Sequence, residues 1–321
     1  LGPPAGWTSS SDFPTTPEAY AKTGSNGGFI AKLDSQLNNL LASTYFGGGW
    51  STSLSLDGNG SIYVAGHVNN GIVPVTIGAY DTTPNGNWDV YAAKLDTNLK
   101  QLLASTLLGG SDYDADPAVL TNGQGQVIVS GTTQSPGFPT TKGAYDTTHN
   151  GSRDVFVSIF DANLQNLLAS SFLGGSGSDE QPFLTADTNG NIYVTGITQS
   201  ADFPTTMGAY QRSYRGGSAD AFIARFSSNL STLTASTLLG GSHYDIPHGI
   251  ALGPDGSVYL SGRTASSDFP TTPSVYDPSY NNQDDAFVTK LNSPLDSLLA
   301  STYLGGAALY ADDIAYAIAI N

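Results

Sequence analysis

Short runs of six to eight residues, apolar or alternating apolar with polar, are broken throughout the chain by glycine, proline, asparagine and aspartate. This is the pattern of short β-strands joined by turns, and no stretch carries the 3.6-residue period of a long helix. One segment shows the grouping clearly, with strand-like runs at 248–253, 257–264, 285–292 and 297–304. Four such runs in succession predict a four-stranded antiparallel meander. Between the first and second runs stand Asn59-Gly60, Asn189-Gly190 and Asp255-Gly256, which predict two-residue hairpins because these residues accept positive φ. Gly123-Gln124-Gly125 takes the same place once. Asp96-Thr97-Asn98 and Asp161-Ala162-Asn163, each followed by a leucine, join the last two runs. After the second run comes a loop of about 20 residues, far longer than a hairpin connection.

The meander repeats. One marker ends at Tyr20 (DFPTTPEAY), Tyr80 (VPVTIGAY), Tyr145 (FPTTKGAY), Tyr210 (DFPTTMGAY) and Tyr276 (DFPTTPSVY), at spacings of 60, 65, 65 and 66. A second ends at Gly48, Gly110, Gly175, Gly241 and Gly306 in sequences such as LLASTYFGG and LLASTYLGG. Five copies of both predict five units: 1–48 with 307–321, then 49–110, 111–175, 176–241 and 242–306. The second unit departs from the pattern, with Val73-Pro74-Val75 in place of Phe-Pro-Thr.

Stacked and radially closed repeats differ at their ends. Ala5-Gly6-Trp7-Thr8 matches the end of a second run, and the segment DDIAYAIAI from Asp312 to Ile320 matches a first run with nothing after it. The expectation is a single all-β domain, a five-bladed β-propeller with four antiparallel strands per blade. Its ring is closed by the C-terminal strand pairing with the N-terminal blade beside Trp7. The opening residues lack the features of a signal peptide, so an exported protein is expected to have lost its targeting segment upstream.

Composition narrows the function classes. The net charge of −16, from 27 acidic residues against 11 Lys and Arg, repels phosphate backbones and acidic membranes, so neither nucleic acid nor membrane insertion is expected. With no cysteine, disulfides and thiolate chemistry are absent. Charged residues are only 12% of the chain, beside 38 glycines and 17 prolines, which suits an all-β protein rich in turns.

The spaced motifs LLASTYLGG, HGIALG, NGNIYVTG, DFPTT with a following tyrosine, and DAFVTKL resemble the bacterial and archaeal SBBP-type β-propeller repeat family. The resemblance runs through nearly the whole chain. It implies propeller architecture in exported or cell-surface proteins, often as parts of larger adhesin-like chains, and it brings no established catalytic residues.

Two sets of residues are candidates for a site. The long loops carry Phe13, Phe138, Phe203 and Phe269, each before a proline, and their repetition favours a role in pinning the loop against the neighbouring blade. The aromatics Trp50, Trp88, Tyr214 and Tyr280 are particular to their units and are the better candidates for ligand contact on the long-loop face. Asp114, Asp179, Asp245 and Asp313 enter the innermost strands, with Gly49 at that place in the second unit. They would suit a hard cation such as Ca2+ if they converge on the central axis, or local hydrogen bonds to turn N–H groups if they do not. Asp89, Asp154, Asp220 and Asp285 open the third strands, and Lys32, Lys94, Arg225 and Lys290 lie farther along them, within reach of acids.

The leading expectation is a secreted or cell-surface, non-catalytic module that binds a glycan or a protein. Alternatives are a structural subunit that packs on copies of itself in a filament, surface layer or tandem adhesin, and a glycoside hydrolase with carboxylates at the axis. Equivalent aspartates predict similar environments rather than the unlike pair a glycosidase needs, and Glu18 and Glu180 are the only glutamates. His67, His149, His243 and His248 have no metal-ligand spacing, and no G-x-S-x-G is present. The chain is therefore expected not to be an enzyme and to need no cofactor, Ca2+ at the aspartates excepted.

Overall fold

The computed structural model describes residues 5–24, 27–47, 50–69, 73–281, 283–307 and 312–320, and leaves the side chains of 50–52 outside the description. Among the described residues every regular element is a β-strand. The chain divides into two compact units, Leu1–His149 with Phe156–Phe172, and Asn150–Val155 with Leu173–Asn321.

Three sheets fall mainly in the first unit. The first holds β1 (Ala5–Thr8), β2 (Gly27–Leu33) and β3 (Leu40–Phe46). The second holds β4 (Trp50–Leu56), β5 (Ile62–Val68), β6 (Asp89–Leu95) and β7 (Leu102–Leu108). The third holds β8 (Asp114–Thr121), β9 (Val127–Thr133), β10 (Asp154–Phe160) and β11 (Leu167–Leu173). In the second unit, one sheet holds β12 (Asp179–Ala186), β13 (Ile192–Thr198), β14 (Asp220–Phe226) and β15 (Leu233–Leu239). The other holds β16 (Asp245–Leu252), β17 (Val258–Thr264), β18 (Asp285–Leu291) and β19 (Leu298–Leu304). Strand order follows chain order, as a meander requires.

The first strands begin earlier than their apolar pattern suggests. β16 starts at Asp245 rather than His248 because its register shifts between Pro247 and Gly249, and β12 shifts likewise between Glu180 and Phe183. Such a bulge breaks the alternation that sequence reading relies on. The first hairpins also differ from expectation. Asp57 N–H donates to Ser61 O at 3.1 Å and Gly60 N–H to Asp57 O at 3.0 Å, a three-residue loop in which Gly60 takes φ of +82°. The Asp57 carboxylate accepts the Asn59 and Ser61 N–H groups, so the aspartate before the Asn-Gly pair sets the longer turn.

In the turns between third and fourth strands, a leucine rather than glycine adopts positive φ, at Leu99, Leu164, Leu230 and Leu295. Such a backbone costs roughly 1–2 kcal/mol for an L-residue. Burial offsets it at these four, whose side chains are fully buried, while Leu37, at the same place in the first sheet with φ of +59°, is exposed. Their carbonyls are used as well: Tyr20, Tyr80 and Tyr210 donate their N–H groups to Leu99, Leu164 and Leu295, at 2.8, 3.0 and 2.9 Å. Each of these bonds joins the long loop of one sheet to the next sheet of the same unit.

Each long loop runs along the outer edge of its own fourth strand. Thr16, Thr76, Thr141, Thr206 and Thr272 donate N–H to Ser43, Ser105, Ser170, Ser236 and Ser301 carbonyls at 3.0–3.2 Å. The same threonine hydroxyls accept the N–H groups of those serines. Farther on, the fourth-strand Tyr45, Leu107, Phe172, Leu238 and Tyr303 donate to carbonyls of their loops. The exposed sheet edge, a site for unwanted pairing, is thereby covered.

Packing holds the loops down. Phe138 and Phe203 are buried and stack on Phe156 and Phe222 of the third strands, at centroid distances of 4.3 and 4.7 Å, and the buried Phe269 lies tilted against Phe287 at 4.7 Å. The phenylalanines therefore pack on their own sheets, and it is the tyrosines that reach the next one. Between sheets, apolar side chains of β5–β7 meet those of β8–β11 in the first unit, and β13–β15 meet β17–β19 in the second. Val73, in the divergent second repeat, is buried in the core that includes Ile30, Phe46 and Tyr91.

The expected ring-closing pairing is not among the observed sheets. In the described residues β1 pairs with β2, and 312–320 forms no strand. That segment nevertheless docks as a first strand would: Asp313 N–H donates to Asp284 O at 2.8 Å, as Asp245 N–H does to Ala219 O at 2.8 Å.

Replacing Phe203 by alanine should cost about 3–5 kcal/mol, because both the stacking on Phe222 and the anchor of the loop are lost. Urea unfolding measures this; a loss below about 1 kcal/mol would show that the ring does not hold the loop.

Candidate functional site

The innermost aspartates sit in a repeated corner. Asp179 Oδ2 accepts Gly175 N–H at 2.7 Å and Ser200 Oγ–H at 2.8 Å, while its own N–H donates to Arg153 O at 2.8 Å. Asp245 Oδ2 accepts Gly241 N–H at 2.7 Å and Ser266 Oγ–H at 3.0 Å, and Thr264 donates to its Oδ1. In the first unit, Asp114 takes Gly110 N–H at 2.7 Å and Ser135 Oγ–H at 3.0 Å. Asp313 accepts Gly306 N–H at 2.8 Å and is partly buried. Asp114, Asp179 and Asp245 have no exposed surface. Gly49, the counterpart in the second repeat, lies outside the described residues. Among the described residues no three His, Cys, Asp or Glu side chains gather as a metal-binding group.

The third-strand aspartates lie beside them. Asp89, Asp154, Asp220 and Asp285 are buried, and their Oδ2 atoms accept the N–H groups of Asn85, Asn150, Arg215 and Asn281 at 2.7–2.9 Å. Asp220 and Asp245 both point at Gly240: a Cβ there would lie 2.9 Å from Asp220 Oδ1 and 2.7 Å from Asp245 Oδ2. Only glycine leaves room for the two acids. Burial pushes Asp220 up to about 7 and Asp245 up to about 6, with the neighbouring Asp245 charge adding to the rise at Asp220. Asp179 is likewise raised by burial to about 6.

The aromatic candidates are placed differently from one another. Trp50 opens β4, with its side chain outside the description. Trp88 is half-buried between His67 and Tyr113, at centroid distances of 5.1 and 6.2 Å. Tyr214 donates its hydroxyl to Gly217 O at 2.9 Å, and Tyr280 donates to Gln283 O within its own loop. All three described rings precede third strands, each tied into its own surroundings. The third-strand cations lie over tyrosines, with Lys94 above Tyr63 and Lys290 above Tyr259, and they pair with Asp57 and Asp255 at 3.7 and 3.2 Å.

An open cleft of about 560 Å³ occurs elsewhere, in the second unit, between the first hairpins of its two sheets. Thr188, Asn189, Pro254 and Ser293 line it together with the apolar Tyr193, Leu252 and Ile320. Asp187 at its edge is occupied by the Asn189 and Asn191 N–H groups and the Asn191 amide. Sequence reading missed this cleft because Thr188 and Asn189 read as turn residues and nothing more.

The described residues form repeated antiparallel meanders whose sequence motifs recur in the same order. The SBBP Beta-propeller repeat matches residues 173–204 and 236–270, so the resemblance drawn from the motifs holds at those two stretches. No curated protein matches the chain. Among solved structures, the chain is similar to hydrazine synthase of Kuenenia stuttgartiensis, at 10% identity and a TM-score of 0.45 over 84% of this chain and 60% of that one. It is similar to a thermostable family-43 glycoside hydrolase, at 10% identity and a TM-score of 0.40 over 80% and 72% of the two chains. The phage phi92 endosialidase is similar over 99% of this chain and 50% of that one, at 10% identity and a TM-score of 0.43. The chain thus spans 60% of the hydrazine synthase chain and half of the endosialidase chain. The expectation that the chain is not an enzyme is corrected here, because enzymes, glycoside hydrolases among them, stand among the structures it resembles. With identity of 10% and TM-scores below 0.5 for these three, the likeness assigns no particular activity.

Gly240→Ala should destabilise the protein by more than about 2 kcal/mol, since its Cβ would enter the space of both carboxylates. Gly137→Ala, where no atom lies within 4 Å of the new Cβ, should change it by under about 1 kcal/mol. Equal denaturation midpoints for the two variants would contradict this.

Proposed function

We propose that the chain is a secreted or cell-surface β-propeller that binds a neutral glycan in the cleft between the first hairpins of its second unit. The cleft itself carries this reading: hydroxyl, amide and main-chain groups line a space of about 560 Å³ together with apolar side chains. Saccharides present hydroxyls on their edges and apolar patches on their ring faces, and both find partners in such a lining. The net charge of −16 favours a neutral ligand over an anionic one. No helix among the described residues is long and apolar enough to cross a membrane.

The proposal includes the ring. Five sheets are read as five blades, with 312–320 supplying the innermost strand of the first blade beside Trp7. The docking of Asp313 on Asp284, in the manner of Asp245 on Ala219, supports it.

A second reading, packing of copies of the chain into a filament, surface layer or tandem adhesin, is favoured by one observation. Leu41, Leu103, Leu168 and Leu299, at the same place in four fourth strands, are about half exposed.

Glycan-array binding by the wild type and by Asn189→Ala tests the ligand. Binding of a neutral oligosaccharide, weakened at least about tenfold in the variant, is expected; a folded protein that retains no neutral glycan would sink the reading. Chromatography of the bound oligosaccharide after incubation shows whether binding is followed by hydrolysis. For the ring, small-angle scattering should give a radius of gyration of about 20 Å, and a much larger value at high dilution would mean an open array. Sedimentation across a concentration series checks self-packing, for which a monomer at every concentration is the adverse result.

A further inference from the structure

The paired aspartates raise a question of hydrogen-bond accounting that the cleft does not touch. In Asp89, Asp220 and Asp285, Oδ2 is held by a main-chain N–H, yet Oδ1 has no hydrogen-bond partner. These side chains are at most 2% exposed, so water does not supply the missing bond at the surface. A buried acceptor without a donor is costly, and a buried ionised one more so.

The orphan oxygens point toward another acid. Asp220 Oδ1 and Asp245 Oδ2 lie 2.9 and 2.7 Å from the same point beside Gly240. At Gly109, Asp89 Oδ1 and Asp114 Oδ2 again crowd one position, the latter at 3.1 Å from it. Asp154 and Asp179 meet at Gly174 in the same way, and Asp285 lies against Gly305 with Asp313 bound to the next residue. Asp114 and Asp245 have their Oδ2 atoms already engaged as acceptors by an N–H and a hydroxyl, which is how a carboxylate is held. Asp114 Oδ1 is an orphan as well, whereas Thr264 satisfies Asp245 Oδ1, so each pair is short of a hydrogen.

We propose that Asp89–Asp114 and Asp220–Asp245 are proton-binding sites, each pair retaining one proton as a carboxylic acid beside a carboxylate, held in the second pair by Asp220. A proton on Asp220 Oδ1 turns the orphan acceptor into a donor and removes one of two like charges from a buried space. The joint between consecutive sheets, where the pair sits, is then sound only while the proton is in place.

The surrounding charges favour retention. Around Asp220–Asp245 stand Arg215, which opposes protonation of Asp220, and Asp268, which favours it at both acids; Tyr214 and Tyr303 are neutral phenols nearby, each raised by burial. Asp81 adds negative charge near Asp89. No lysine, arginine or histidine forms an ion pair with the paired aspartates among the described residues. Acids raised in the folded state bind protons more tightly than the unfolded chain does. Their stabilising contribution is full below pH of about 4 and is lost as pH rises through about 6 to 7.

Thermal unfolding of the wild type and of Asp220→Asn, from pH 4.5 to 8.5 with EDTA present, tests this. The asparagine amide places an N–H where the acid would hold its proton. The variant should match the wild type near pH 5 and exceed its Tm by several degrees at pH 8, while Asp202→Asn, at an exposed acid, should leave the difference flat. Infrared difference spectra of the wild type, which need no variant, should show the carbonyl band of a protonated carboxylic acid surviving at pH 6 and vanishing by pH 9. A Tm difference independent of pH, or no such band, overturns the proposal. So does a wild-type Tm at pH 8 that rises with millimolar Ca2+ and loses that response in Asp220→Asn, since a cation rather than a proton would then occupy the pair.

Discussion

A strand at the end of a sheet has main-chain groups on one side with nowhere to go, and this protein meets the problem five times, once in each sheet. Its answer is the seam between the second threonine of the loop and the serine of the fourth strand, in which each residue gives an N–H to the other. The long loop is held there along its own sheet before it reaches the next. Its phenylalanine reaches the stacking partner on the third strand, and its tyrosine the carbonyl of a leucine turn.

The seam explains the two markers that reveal the repeat. The Phe-Pro-Thr-Thr and Leu-Ala-Ser-Thr segments recur together because they are the two halves of one hydrogen-bonded joint. Thr76 persists in the second repeat although Val73 replaces the phenylalanine, since the edge needs its hydroxyl while the core accepts either apolar side chain. Strand number and order were legible for the same reason: apolar runs and turn residues report local needs. The early start of β16 was not, because a bulge after Pro247 breaks the period that reveals a strand. The three-residue hairpin at Asp57 was missed because its length depends on a side chain accepting two N–H groups, which an Asn-Gly pair does not announce.

The candidate site was legible in part. Both sets of repeated aspartates were visible, but their pairing across Gly240 and its equivalents joins residues about 25 apart through packing between sheets, which no spacing reveals. Of the aromatics picked out by their irregularity, Tyr214 and Tyr280 bond within their own loops, and Trp88 packs between His67 and Tyr113. The cleft between hairpins is made largely of turn residues, which have no sequence signature beyond the turn itself. Buried acids and an open cleft also divide the chemistry: Asp114, Asp179 and Asp245 have no surface with which to touch a ligand.

The strained leucine turns have a consequence for how such a molecule grows. In the bonds from Tyr20 to Leu99, Tyr80 to Leu164 and Tyr210 to Leu295, the tyrosine belongs to one repeat and the leucine to its successor, yet every repeat carries both. A gene segment copied in tandem therefore brings a plug and a socket together, and its product couples to either neighbour without further mutation.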